Sequence, residues 1–294
     1  MHRAGRFRAG TSTGILGRMT TDVHVRRACS RAALVGLLVA AHAAGAGGLP
    51  ARAFDYALFG FDDVTLGSGA QVDAGDVGCN LPLGRVWLRQ RARVAGAVAG
   101  DTVRLGRNAR AGGVWCRVLE GATSPACGAV TLPLLADLPL VQVVPGGIDV
   151  KLPRKSLQSG LPSGAYRRIV VGSRSRLSLA GGTYAVSSLE VRRNGQLLCE
   201  SPCVINVDDH VRLEQSTRLA GVAPLDATAV QVNVEGGFIH RAAFRADQRS
   251  VVEGSVYAPE GLIRLGVNGR FRGAFVGKSI EVLQRAHVVS VPRP

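Results

Sequence analysis

Apolar residues in this chain alternate with polar ones over short runs, and the runs themselves recur. VWLRQRARVAGAV (86–98) lies under VRLGRNARAGGVW (103–115) at an offset of 17 residues, placing Leu88 on Leu105, Ala92 on Ala109, Val94 on Ala111 and Gly96 on Gly113. VTLGSGAQVDAG (64–75) puts Leu66, Ala70 and Val72 in the same places. Near the other end, IRLGVNGRFRGAF (263–275) lies over IEVLQRAHVVSV (280–291), again 17 residues on, matching Leu265 to Val282, Gly269 to Ala286 and Phe271 to Val288. FRADQRSVVEGSV (244–256) is a looser copy, and VRLEQSTRLAGV (211–222) an isolated one.

Side chains two apart share one face of a strand, so these runs read as strands with one apolar side. The intervening RNAR and VNGR segments are turn-like. A 17-residue unit is too short to hold a helix and a strand. It suits one coil of a parallel, right-handed β-solenoid, three short strands joined by tight corners, with coils stacked about 4.8 Å apart. The alternative is an antiparallel sandwich, which would show hairpin turns and no fixed offset.

The pattern breaks at 132–163, where Pro133, Pro139, Pro145, Pro153 and Pro162 oppose any continuous ladder. This segment is expected to be a connector packed on the outside, with LPLLADLPL as a short helix or strap. Strand-like sequence resumes at 167–207, with turns at Gly172, Gly181-Gly182 and Asn194-Gly195. The chain from 54 to 294 is expected to form a single solenoid domain.

Composition adds an address. The net charge is +15, and residues 1–53 carry eight Arg against one acid, Asp22, leaving +8 beyond them. An apolar run, AALVGLLVAAHAAGAG (32–47), and the small-residue site Ala51-Arg52-Ala53 follow. Together these predict a secretory signal peptide over 1–53 with a long basic leading region, and an exported chain beginning near Phe54. The run is short for a membrane span, and Cys29 precedes it rather than following it as a lipid-anchored cysteine would. The exported chain is thus expected to have no transmembrane anchor and to reside in the periplasm, at the cell surface or outside the cell. In an oxidising compartment, disulfides are the default, with Cys116 and Cys127 closing a short loop and Cys199 and Cys203 another, and Cys79 either free or in place of one of those partners.

Two stretches carry a resemblance. LPSGAYRRIVVGSRSRLSLAGGTYAVSSLEVRRNGQL, with its spaced L-x-x-G-x-Y motifs, and GSVYAPEGLIRLGVNGRFRGAFVGKSIEV resemble a family of exported bacterial β-helix domains with a closing G-x-[IV]-Y-A-P rung. YALFGFDDVTLGSGAQVDAGDVG resembles their opening. Such domains occur in secreted and pilus-assembly-type proteins and are similar in architecture to polymer-forming β-helix scaffolds. The resemblance implies the solenoid and an envelope setting, and transfers no catalytic residue. Within the rung motif, Gly254, Tyr257, Ala258 and Pro259 are expected at a corner. Tyr257 looks exposed there, and Pro259 sits where a strand end can spare an N–H.

Candidate chemistry is sparse. Asp208, Asp209 and His210 form the sharpest polar cluster, and paired carboxylates beside a histidine are the equipment of polysaccharide cleavage. The coils on either side are expected to offer mostly Arg, Gly and Ser, and Asp is a routine turn residue. GAFVGKS (273–279) has three residues between its glycines where a phosphate loop needs four. His240 and His287 stand alone within strands. No cofactor or metal is expected.

The expected role is a non-enzymatic structural or surface module of the bacterial envelope, acting in adhesion or as a scaffold. The alternatives are a polysaccharide-acting lyase or hydrolase and a module that binds anionic glycans through outward Arg rows. The expected partners are anionic polysaccharide or envelope proteins. Nucleic acid is not expected, because serial aromatic platforms are missing.

Overall fold

The computed structural model describes residues 53–80, 82–121, 127–128, 139–236 and 242–291. Its 21 strands belong to one sheet, and the strand pairs are parallel. The sheet winds into a β-solenoid of about eleven coils. Among the described residues, helix is limited to two 3-10 turns, Ala53–Asp55 and Ala227–Ala229. The parallel ladder excludes the antiparallel sandwich. The signal-peptide expectation falls almost wholly outside the described residues.

Three rows of apolar side chains run up the interior, one for each face of the coil. One row is Tyr184, Ile205, Val232, Val256 and Phe275, then Leu58, Val77, Val98 and Val114, all buried and in register. A second runs from Ile169 and Leu189 to Val86 and Val103. The third belongs to short strands such as Arg176–Leu179 and Gln196–Cys199 and includes Leu177, Leu197, Phe271 and Val288. Alternation along each strand therefore becomes stacking between coils, so each apolar residue is covered above and below by another. Two faces are often carried by one bent strand. Gly182–Val191, Cys203–Leu213 and Ser255–Leu265 each continue through a corner with a register slip at the bend.

The corner before each short strand uses left-handed backbone. Asn108, Asn194 and Asn268 have φ of 58°, 58° and 53°, as the turn-like RNAR and VNGR segments suggest. Asn194 and Asn268 donate their N–H groups to carbonyls of the adjoining coil, Gln215 O and Gln284 O, both at 3.0 Å. A small residue follows and is buried: Ala92, Ser175, Thr217, Ser250 and Ala286 all occupy this step.

The coils do not stack in chain order. Leu58–Leu66, the first of the described strands, pairs on one side with Val77–Cys79 and Arg85–Leu88 and on the other with Phe275–Val282, among the last of them. Gln71–Ala74 likewise pairs with His287–Val289. The stack therefore begins with residues 149–161, rises through 289, and continues without a break into 58–121. Both described chain ends meet in the middle of the rod, and both ends of the rod are internal segments of the chain. The hydrogen-bond ladder crosses this seam intact: Phe275 N–H donates to Ala57 O at 3.0 Å and Ser290 N–H to Ala74 O at 3.0 Å.

The 17-residue offset holds where corners are minimal. Leu88 pairs with Leu105, Val94 with Ala111, Leu265 with Val282 and Phe271 with Val288. Gly96 does not fall on Gly113. A bulge after Val94 puts Ala97 there, and Val98 then meets Val114. The proline-rich connector is shorter than expected, because Asp149–Leu152 and Leu157–Leu161 already belong to the first coil. Pro153 and Pro162 fall at the ends of those strands, where no ladder N–H is needed.

Candidate functional site

The permuted stack needs a return path from the 114–121 coil to the 149–161 coil, and the connector supplies it. Eleven coils span roughly 50 Å at about 4.8 Å each, and residues 122–148 reach roughly 90 Å when extended. LPLLADLPL lies outside the described residues except for Pro139 and Leu140. From 139 to 148 the chain runs outside the sheet as a strap. Tyr257 Oη donates to Pro139 O at 2.6 Å. Val143 N–H donates to Glu235 Oε2 at 2.8 Å, Gly146 N–H to Tyr166 O at 3.1 Å, and Arg167 N–H to Ile148 O at 2.7 Å. Val141 packs on an outer apolar cluster of Ala53, Tyr56, Phe59, Tyr257 and Val276. That cluster joins the first residues of the fold, the last coils and the strap directly over the seam.

Tyr257 is thus not the exposed corner residue the sequence suggested. It is 5% exposed, its ring lies 5.3 Å from that of Phe54, and burial, reinforced by the Glu260 charge, raises its hydroxyl pKa to about 12. Gly254, Ala258 and Pro259 do mark a bend, but inside or beside the continuous strand Ser255–Leu265 rather than at its end. Val256 pairs with Phe275 and Ala258 with Gly277. The register then slips before Leu262, and Pro259 occupies the slip, where no ladder N–H is required. The phosphate-loop look-alike at 273–279 is a stretch of the next coil: Phe275–Val282 is a strand paired on both sides.

Asp208, Asp209 and His210 lie within strand Cys203–Leu213, not at a turn between two strands. The register slips there, from Val186 on Val207 to Ser188 on His210, so Asp208 and Asp209 bulge at the bend. Asp209 Oδ2 lies 2.7 Å from His210 Nδ1. The neighbouring coil brings a third carboxylate, Glu235, whose N–H donates to Val207 O at 2.8 Å. The adjoining coils were expected to offer mostly Arg, Gly and Ser here, and Glu235 is the exception on this side. An insertion at 235–241 displaces the repeat and hides the alignment. Partial burial, then the charges of Glu235 and Asp209, push the Asp208 carboxyl above its ordinary range. Glu235 spends one oxygen on the strap, and Asp209 is engaged with His210. Of these groups, Glu235 is the one that contacts the strap, through Val143 N–H. His240 lies outside the described residues, and His287 faces outward, 3.3 Å from Asp73. Among the described residues no group of three or more His, Cys, Asp or Glu is placed to hold a metal ion.

The cysteines pair as the spacing suggested, with Cα separations of 5.7 Å for Cys116–Cys127 and 6.1 Å for Cys199–Cys203. The first ties the end coil to the start of the connector, and the second clips one corner. Cys79 is free and buried in the core, which raises its thiol pKa and leaves it inert as a nucleophile. Two tyrosines of the L-x-x-G-x-Y motifs, Tyr166 and Tyr184, stack on successive coils at 6.4 Å and donate to Pro162 O and Leu161 O, both at 2.7 Å. Paired cysteines are compatible with an exported chain. Among the described residues no helix is long and apolar enough to cross a membrane. No family model matches this chain, and no curated protein or solved structure shows significant similarity to it.

Proposed function

We propose that this chain is a non-enzymatic structural module exported to the bacterial envelope, where it serves as a rigid scaffold or adhesion element. The observation that carries this reading is the latched, permuted stack. An unbroken ladder crosses the seam, and the strap and its outer cluster hold the two sets of coils together. Such construction favours stiffness over the loop motion that substrate closure uses. Asp209 is engaged with His210, and Glu235 accepts from Val143 N–H of the strap, which suits a structural latch.

Fractionation of the native cell, combined with incubation of the purified protein with a panel of acidic polysaccharides, tests the proposal. Recovery with envelope material or in the medium, with no new reducing ends or unsaturated products, is the expected result. Recovery in the cytoplasm would overturn the export. Turnover of a polysaccharide that disappears in Asp208→Asn and Asp209→Asn, with melting unchanged, would replace the scaffold by an enzyme.

A further inference from the structure

The left-handed corner forms a ridge along the rod. Arg91, Lys155, Arg174, Arg249 and Arg285 occupy it with φ between 52° and 60°, a conformation in which Gly or Asn carries less strain. The residues just before them are Gln90, Arg154, Ser173, Gln248 and Gln284, so no carboxylate interrupts these steps. The ridge is continuous across the seam, since Arg285 N–H donates to Ser68 O and Gly69 N–H to Gln90 O.

Beside the ridge, the outer surface of the coils between 86 and 121 is hollowed. A cleft of about 730 Å³ is lined by Trp87, Arg89, Gln90, Arg104, Arg107 and Glu120, among others. A smaller one of about 270 Å³ continues from Arg89 across the seam to Glu281 and Gln284. Trp87 is partly exposed. The guanidiniums of Arg89 and Arg104 sit 4.7 and 4.9 Å from its ring centroid. Arg104 lies 3.9 Å from Glu120. Among the described residues, Arg89 and Arg107 have no acidic partner.

We infer that this groove is a binding site for an acidic polysaccharide, a linear chain of uronate-type sugars. A guanidinium laid on an indole keeps its N–H edge turned outward, a fork shaped for a carboxylate. The ring supplies apolar surface for a pyranose. Cations repeated at about the coil spacing match a polymer with regularly repeated charge better than a single small anion. A nucleic acid fits less well, because one indole is not a series of stacking platforms. The Trp87 cleft is built within residues 87–121, and the smaller cleft extends it from Arg89 across the seam to Glu281 and Gln284. The site does not rest on the structural role proposed above.

The protein has two tryptophans, so Trp115→Phe leaves Trp87 as the sole emitter. Titration of this variant with polygalacturonate should give a saturable change in emission. Affinity electrophoresis of the unaltered protein should show retardation by the same polymer. The affinity should fall at least about tenfold between 50 and 200 mM salt. Arg89→Ala with Arg107→Ala should weaken binding by about tenfold or more. Arg176→Ala with Arg212→Ala, remote from both the ridge and the groove, should change it by less than about twofold, with melting curves showing all variants folded. Equal response to neutral dextran, tighter binding of single-stranded DNA, or no loss in the Arg89/Arg107 variant would overturn the inference.

Discussion

The coils from 149 to 289 and those from 58 to 121 share one architecture but not one core. Tyr184, Phe244, Phe271 and Phe275 are among the largest fully buried side chains, and all lie in the first set. In the second set the largest are Leu58, Leu66 and Leu88, and Val72, Val77, Cys79, Ala92, Val98 and Val103 fill much of the rest. Buried apolar area sets most of the stabilisation, so each coil of the second set contributes less of its own. It compensates by docking on Phe275–Val282, by the outer cluster at the seam, and by the disulfide at its far end. A solenoid can thus extend a well-filled stack with thinner coils, provided both ends of the thin part are tied.

The largest test of that contrast is at the seam. Phe275→Ala removes an aromatic ring wedged between Val256 and Leu58 and should cost about 3–5 kcal/mol in a denaturant melt. Amide exchange should accelerate on both sides of the seam. Val98→Ala, in the middle of the thin set, should cost roughly 2 kcal/mol and loosen only the coils from 98 to 121. If Phe275→Ala disturbed one side alone, the two sets would not depend on each other.

Cys127→Ser comes next in size. Opening this short loop should cost about 2–4 kcal/mol, confined to strand Arg110–Gly121 and read as faster exchange or proteolysis there. Uniform destabilisation of the whole rod would show that the far end is not separately tied.

The smallest effect has opposite signs in the two regions. Asp208 in the larger set has a raised carboxyl pKa, so its favourable contribution is complete in acid and is lost as pH rises through its folded pKa. Asp208→Asn should raise the melting temperature at pH 7 by roughly 1–3 °C and change nothing at pH 3. Asp101 in the thinner set accepts two hydrogen bonds from Arg117, at 2.8 and 2.9 Å, which lower its pKa. Its contribution is complete above the ordinary carboxylate range and is lost as pH falls through the folded value. Asp101→Asn should lower the melting temperature at pH 7, and that loss should vanish in strong acid. The same sign for both variants would end the contrast.

The solenoid itself was legible wherever coils are minimal, because stacking turns a chain offset directly into register. The pairs at Leu88–Leu105 and Leu265–Val282 were visible for that reason. Insertions at corners, such as 222–229 and 235–241, shift the offset without moving the strands, so Glu235 beside Asp208 was hidden. Coil order was hidden for a different reason. Every coil presents the same apolar edge pattern above and below, so nothing local tells Leu58 to lie on Phe275 rather than on an earlier coil. Tyr257 was misjudged because its cover is the strap, more than a hundred residues away. The Trp87 groove follows the legible 17-residue offset in placing Trp87 beside Arg104, but an offset does not give the stacking of Arg89 and Arg104 on the ring.

The meeting of both chain ends at the middle of the rod also sets a timetable. Among the described strands, Leu58–Leu66 is the first long one to be synthesised, and its partner Phe275–Val282 is made more than two hundred residues later. The earliest coils therefore emerge without the platform they rest on, and must wait through more than two hundred residues of synthesis. Coils such as 164–221 have their neighbours at hand as they appear, and they form the natural starting point. Folding therefore cannot run through these coils in order of synthesis: the 58–121 coils, made before 149–289, complete their docking after them.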